Sequence, residues 1–303
     1  MLTVGAALAV SALVASMNAV IDIYGLHRDT IERRLLVYGD ERIAKYLLSK
    51  RYVPSNFEGI LIGSSVSANW PVGNMRSMRF YNESLNGGNI VEEKSLLDQV
   101  LTHPGQTKVA LLVVHPYLTS SHHFETVRLT SREEWGALGS LHLLKAYKNA
   151  IKIRLGIEQQ SFDASGTNDF GNTPRKLNKT LQRMFQQGKD FQVDPIAFEK
   201  YREAIAELHE HKIRIVFVVP PTAENLLAPK REAFQKYTQS LLSESSSRDK
   251  VLDFSSDEFA EFRRVNSNFL DGVHLNSGAA EKLTAIIDDR LKFWFADAWI
   301  EHR

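Results

Sequence analysis

The sequence predicts an α/β fold: a three-layer α/β/α sandwich on a mainly parallel sheet of about five strands, preceded by an apolar helix. Three observations carry this. Short runs rich in Val, Ile and Leu are continuously apolar rather than alternating, as in strands covered on both faces. Helical stretches lie between them, and strand–helix alternation implies a parallel, doubly wound sheet. At 303 residues and 43% hydrophobic, the chain is long enough to bury a sizeable core.

The apolar N-terminus runs from Leu2 to about Val20, broken only by small residues and one Asn. That is close to the roughly 20 residues needed to cross a bilayer. No basic residue precedes it and no clean Ala-x-Ala site follows, so it reads as an uncleaved membrane anchor over residues 1–25 rather than a signal peptide. The charges that follow (Asp22, Arg28, Asp29, Glu32, Arg33, Arg34) nearly cancel and give little orientation. The remainder is expected outside the cytoplasm, periplasmic or at the cell surface. Helical spacing of apolar residues from Asp29 to about Arg51 predicts an amphipathic connector within 26–55, broken at Pro54 and Ser55.

The main domain is expected over 56–303. Its strands are predicted at "GILIG" (59–63), "MRFYN" (78–82), "KVALLVV" (108–114), "IRIVFVV" (213–219) and "KVLDF" (250–254). Helices are predicted near 90–102, 140–155, 195–211, 229–243 and 278–296. The interval from about 155 to 195 is polar and rich in Gly, Asn and Gln, and reads as a surface segment, lid or substrate loop. No internal repeat is visible.

Composition narrows the chemistry. A formal net charge of +1 and the lack of a long basic run give no reason to expect nucleic acid. The absence of cysteine excludes thiol catalysis, zinc–thiolate sites and disulfides. No cofactor and no metal are expected. The visible histidine clusters are His122–His123 and His209/His211; the latter pair points to different faces of a helix and reads as a charged helix end.

In a parallel α/β sheet, ligands sit beyond the carboxyl ends of the strands. The first strand ends at Gly63, which puts Ser64 and Ser65 at that edge. Gly63 permits a tight turn, and a helix starting just afterwards would aim backbone N–H groups at developing negative charge. Serine needs a base. Near the C-terminus, "NFLDGVHLNSGAAEKL" (268–283) sets Asp271 three residues before His274, ahead of a helix capped by Asn276 or Ser277. In a turn, that carboxylate can fold back onto the imidazole, fix its tautomer and stabilise the imidazolium.

Together these blocks resemble the SGNH (GDSL-like) hydrolase superfamily, with its flavodoxin-like fold. The resemblance of "GSS" (63–65) implies Ser65 as nucleophile, and that of "DGVH" (271–274) implies Asp271 as orienting acid and His274 as general base. In "YNESLNGGN" (81–89), Gly87 best matches the oxyanion-hole glycine, with Gly88 beside it; Ser65 N–H would be the other donor. Many members carry an oxyanion Asn after the third strand, where "VVHPYLTS" has His115, either as replacement donor or as a packed histidine. Trp70, Trp135 and Tyr117 are candidates to stack on sugar rings.

The anchor, "GSS" and the "YNxSLxGG" pattern look like the branch that handles bacterial envelope polymers, whose members O-acetylate exopolysaccharides or transfer D-alanine to teichoic acids. The resemblance implies a serine esterase or O-acyltransferase acting on an acyl ester, acetyl by the same resemblance, of a surface carbohydrate polymer, with a membrane acyl-donor protein as partner. An α/β-hydrolase is disfavoured, because its acid normally comes from a different strand than its histidine. The alternative from another class is a catalytically inactive SGNH-fold protein that binds polysaccharide or scaffolds its assembly.

Overall fold

A computed structural model describes residues 2–27, 40–102, 105–119, 129–159, 161–177, 179, 185 and 191–295. The first part of the expected connector helix (29–39), His122, His123 and portions of the 155–195 interval lie outside the described residues.

Five strands, β1 (Gly59–Ile62), β2 (Phe80–Asn82), β3 (Val109–Val113), β4 (Arg214–Val219) and β5 (Lys250–Asp253), form one sheet. Its order is β2-β1-β3-β4-β5, and every pairing is parallel. Gly59 pairs with both Phe80 and Val109, and Val109 pairs with Arg214, so four strands start level and end at one edge. β1 and β3 are buried along their whole length, which accounts for their uninterrupted apolar sequences.

The crossover helices sort into two layers, as parallel strands joined by helices require. α4 (Ile90–Thr102), α8 (Pro195–Glu210) and α10 (Arg231–Leu242) cover one face. There Lys94 on α4 pairs with Glu207 on α8 at 2.8 Å, and the Tyr201 hydroxyl on α8 donates to the Leu241 carbonyl on α10. The last helix, α12 (Ser277–Trp294), covers the other face with the 70–77 segment. Asp288 on α12 accepts the backbone N–H of Arg76 and of Ser77. Short helices α5 (Pro116–Thr119), α9 (Glu224–Leu227) and α11 (Ala260–Arg264) fill the connections. Pro195 begins α8 behind an Asp194 cap, and Asn276 caps α12 by accepting the Ala279 N–H at 2.8 Å.

The N-terminal elements add a flank. α2 (Glu41–Lys50) and α3 (Tyr52–Asn56) pack beside α4, with Leu48, Tyr52 and Val53 joining the main core. α6 (Arg132–Gly136) and α7 (Leu141–Arg154) lie outside α2, tied to it by the Lys50–Glu134 ion pair. α1 (Leu2–Ile21) is apolar on all sides and largely exposed, with a mean hydropathy of 2.0 over Val4–Ile21. By length and composition it is able to cross a bilayer. Its C-terminal end is fastened to the flank: Asn18 Nδ2 donates to the Leu138 carbonyl at 2.7 Å, and the Tyr147 hydroxyl donates to Asn18 Oδ1 at 2.9 Å.

Candidate active site

The apolar β1 delivers the chain to Gly63, and a Cβ there would lie 2.2 Å from Ser67 Oγ and 3.0 Å from Val113 Cβ. Gly63 is therefore required by close approach of the following loop, not by a left-handed turn. Ser64 is buried, while Ser65 is half-buried at the strand edge. No helix follows: residues 65–69 form turns, and a 3-10 turn comes at Val72–Asn74. The expected helix N-terminus is absent because Asn82, at the end of β2, takes the loop's carbonyls. Its Nδ2 lies 2.8, 3.2 and 3.3 Å from the carbonyl oxygens of Ser67, Ala68 and Trp70. Ser67 Oγ adds a bond to the Ser64 carbonyl and another to Ser84 Oγ.

The other half of the site comes from the loop before α12. His274 Nε2 lies 2.9 Å from Ser65 Oγ, and His274 Nδ1 lies 2.7 Å from Asp271 Oδ2. The second Asp271 oxygen accepts the backbone N–H of His274 at 2.9 Å and of Val273 at 3.2 Å. An ionised carboxylate only accepts, so Nδ1 carries the proton and Nε2 faces the serine hydroxyl as an acceptor. Burial pushes the Asp271 carboxyl up, but the hydrogen bond and charge interaction with His274, with the two backbone N–H groups, outweigh it and hold the pKa below the ordinary range. This geometry lets the imidazole take the Ser65 proton while Asp271 compensates the resulting charge.

The loop that carries the histidine is closed tightly. Leu270 N–H donates to the His274 carbonyl, and Phe269 bridges Leu275. Gly272 sits at φ +96°, in the left-handed region, and its carbonyl accepts the Ala223 N–H. The serine and histidine loops are joined directly, since Asn69 Nδ2 donates to the Leu275 carbonyl at 2.7 Å. Phe170 meets the His274 ring edge-on at 5.7 Å between centroids.

Gly87 is exposed, and its N–H has no protein acceptor among the described residues; the same holds for the Ser65 N–H. The backbone just before Gly87 is gripped by charged side chains of α2 and α4. Lys45 Nζ donates to the Ser84 carbonyl at 2.7 Å, and Arg42 donates to the Asn86 carbonyl at 3.0 Å. Glu93 accepts the Leu85 N–H at 3.0 Å, and Glu41 accepts the Asn86 N–H at 3.2 Å. Burial pushes the Glu83 carboxyl up to about 7 against the opposing pull of Ser49 and Lys45, and burial also raises Glu93 well above the usual range.

Other expectations need correction. Trp70 is fully buried, so its indole offers no face to a sugar; it packs in the core beneath the serine loop. Tyr117 is also buried, against the His115 ring at 5.4 Å. His115 itself is 1% exposed and packed between Tyr117 and Phe185, with the Tyr117 N–H donating to Nδ1. That is the packed alternative; the ring does not lie open at the strand edge. Trp135 is exposed, but on α6 in the flank. His209 Nε2 lies 2.9 Å from Asp249 Oδ1, a hydrogen bond at the end of α8.

Part of the polar 155–195 interval is ordered against the site. Asn168 N–H donates to the Ala68 carbonyl, Ser165 O accepts the Asn82 N–H, and Arg175 N–H donates to the Leu270 carbonyl. These contacts, with Asn69, Asn82 and Phe170, escape sequence reading because most pass through backbone atoms. A buried Asn closing a strand was the one available signal.

Among solved structures, the chain is similar to the lipase/acylhydrolase from Enterococcus faecalis, at 14% identity and a TM-score of 0.38, covering 77% of this chain and 94% of that one. No family model matches the chain, and no curated protein matches it.

Proposed function

We propose that the chain is a serine-dependent esterase or O-acyltransferase of SGNH type, acting on an acyl ester, by resemblance acetyl, of a bacterial envelope or exopolysaccharide. The observation that carries the chemistry is the unbroken Ser65–His274–Asp271 hydrogen-bond chain, with spans of 2.9 and 2.7 Å. Ser65 Oγ attacks the ester carbonyl as His274 Nε2 takes its proton. The tetrahedral oxyanion receives the Ser65 and Gly87 N–H groups, neither of which has a protein acceptor among the described residues. Collapse expels the alcohol, protonated by His274, and leaves an acyl-serine. Water or a sugar hydroxyl, deprotonated by His274, then releases the acyl group.

The substrate class rests on the resemblance of "GSS", "YNESLNGG" and "DGVH" to the envelope-polymer branch. The apolar, exposed α1 supports a membrane anchor over 1–25, followed by a connector over 26–55 and an extracytoplasmic catalytic domain over 56–303. A membrane acyl-donor protein fits the transfer direction.

The test is hydrolysis of p-nitrophenyl acetate beside fluorophosphonate labelling, for wild type, Ser65→Ala and His274→Ala. Turnover and labelling are expected in wild type and lost in both variants. Equal background in all three folded proteins would instead favour the non-catalytic polysaccharide-binding alternative.

A further inference from the structure

α7 carries two apolar faces. Leu143 and Ala146 point inward, into a small cluster with Tyr46, Leu47 and Leu96. Leu141, Leu144, Ile151 and Leu155, spaced by three, seven and four residues, form a separate stripe, and each is more than half exposed. Trp135 on α6 and Ile157 just past α7 are equally exposed. Outside α1, the remaining exposed large apolar side chains among the described residues are Ile196, Val251, Val265 and Phe293, one each on scattered elements. Lone exposed apolar residues are ordinary; six within 23 residues of chain, 135 to 157, are a surface built for something.

The occupant is indicated by what stands beside the patch. The C-terminal turn of α1 is bonded to this flank through Asn18, to Leu138 O just before α7 and to Tyr147 on α7 itself. A bilayer crossed by α1 therefore meets the protein here. Lys145 and Lys148 are exposed along the stripe, the arrangement of a helix lying in a membrane interface with cations among anionic headgroups. We propose that α6 and α7 rest on the bilayer that α1 crosses, with Trp135 and the Leu141–Leu155 stripe at the headgroup–acyl boundary. This rests on the membrane reading of α1 but not on the esterase chemistry.

The chain has no cysteine, so single-cysteine spin labels report one position each. The full chain is reconstituted in vesicles of mixed phosphatidylethanolamine and phosphatidylglycerol, with labels at Leu144→Cys or Ile151→Cys. Leu13→Cys on α1 and Ile196→Cys on α8 are the references. The ratio of collision with oxygen to collision with a water-soluble nickel chelate is expected to be several-fold higher at 144 and 151 than at 196. It should also fall when phosphatidylglycerol is left out. If 144 and 151 match 196 while 13 reports lipid, the anchor stands and the surface proposal is overturned. Should 13 also report water, the membrane reading falls and takes the proposal with it. Dipolar coupling between labels at 144 on two copies, independent of lipid, would assign the patch to self-association and overturn it too. p-Nitrophenyl acetate turnover of the same samples reads the esterase separately.

Discussion

Asp271 uses both carboxylate oxygens: one orients the imidazole, and the other holds the backbone of residues 273 and 274 in the turn that presents it. Asp271→Asn replaces an oxygen pair with an amide that donates, which reverses the imidazole tautomer. The expected result is a loss of roughly 10²- to 10⁴-fold in kcat with little change in Tm, read by esterase assay and thermal melting. Gly272→Ala acts on the same turn by another route. Its Cβ would approach Leu226 Cδ1 at 2.4 Å, a flexible side-chain end able to yield, but φ +96° remains strained for alanine. A stability loss of about 1–3 kcal/mol by denaturant titration is expected, together with reduced fluorophosphonate labelling. Asn82→Ala frees three carbonyls of the serine loop, and the expected outcome is a lower kcat from a displaced Ser65.

At the scale of elements, α2 and α4 support the loop before Gly87 from outside the sheet. Lys45→Met removes the donor to Ser84 O and the cation that opposes the raised Glu83 and Glu93 values. About a tenfold fall in kcat with a smaller change in KM is expected, since the loop before Gly87 loses an anchor while the serine loop is untouched. Glu83 makes stability depend on pH. Its folded pKa, about 7, is raised above the unfolded value, so its contribution is full below the unfolded pKa and is lost as pH rises through 7. Glu83→Gln is expected to flatten the fall in Tm between pH 5 and pH 8, a window worth on the order of 3 kcal/mol in wild type. This support was hidden in the sequence. Lys45 sits on the stripe of Leu48 and Tyr52, where a lone lysine reads as the edge of a solvated face. The strands, by contrast, were plain: burial on both faces forces uninterrupted Val, Ile and Leu, and nothing local competes with that signal.

For the whole molecule, the fold and the Ser65–His274 pairing were readable because each rests on short local patterns at strand and helix ends. What lay beyond reach was long-range: the serine loop held by Asn82 instead of a helix, the aromatic candidates Trp70 and Tyr117 drawn into the core, and the 161–177 segment folded back onto both loops. Contacts of that kind depend on which surfaces the topology brings together, and no spacing rule encodes them.

The hydrogen bond between Ser65 and His274 spans 209 positions of sequence. Ser65 is laid down with the first strand, but His274 arrives only after the last strand has been added to the far edge of the sheet. A chain that still lacks its last segment thus holds an ordinary alcohol, because serine without a neighbouring base is a poor nucleophile. Chains refolded from denaturant should regain fluorophosphonate reactivity only in their final kinetic phase, when the two ends of the domain close. Labelling of Ser65 would in this way report that the two ends of the domain have closed on each other.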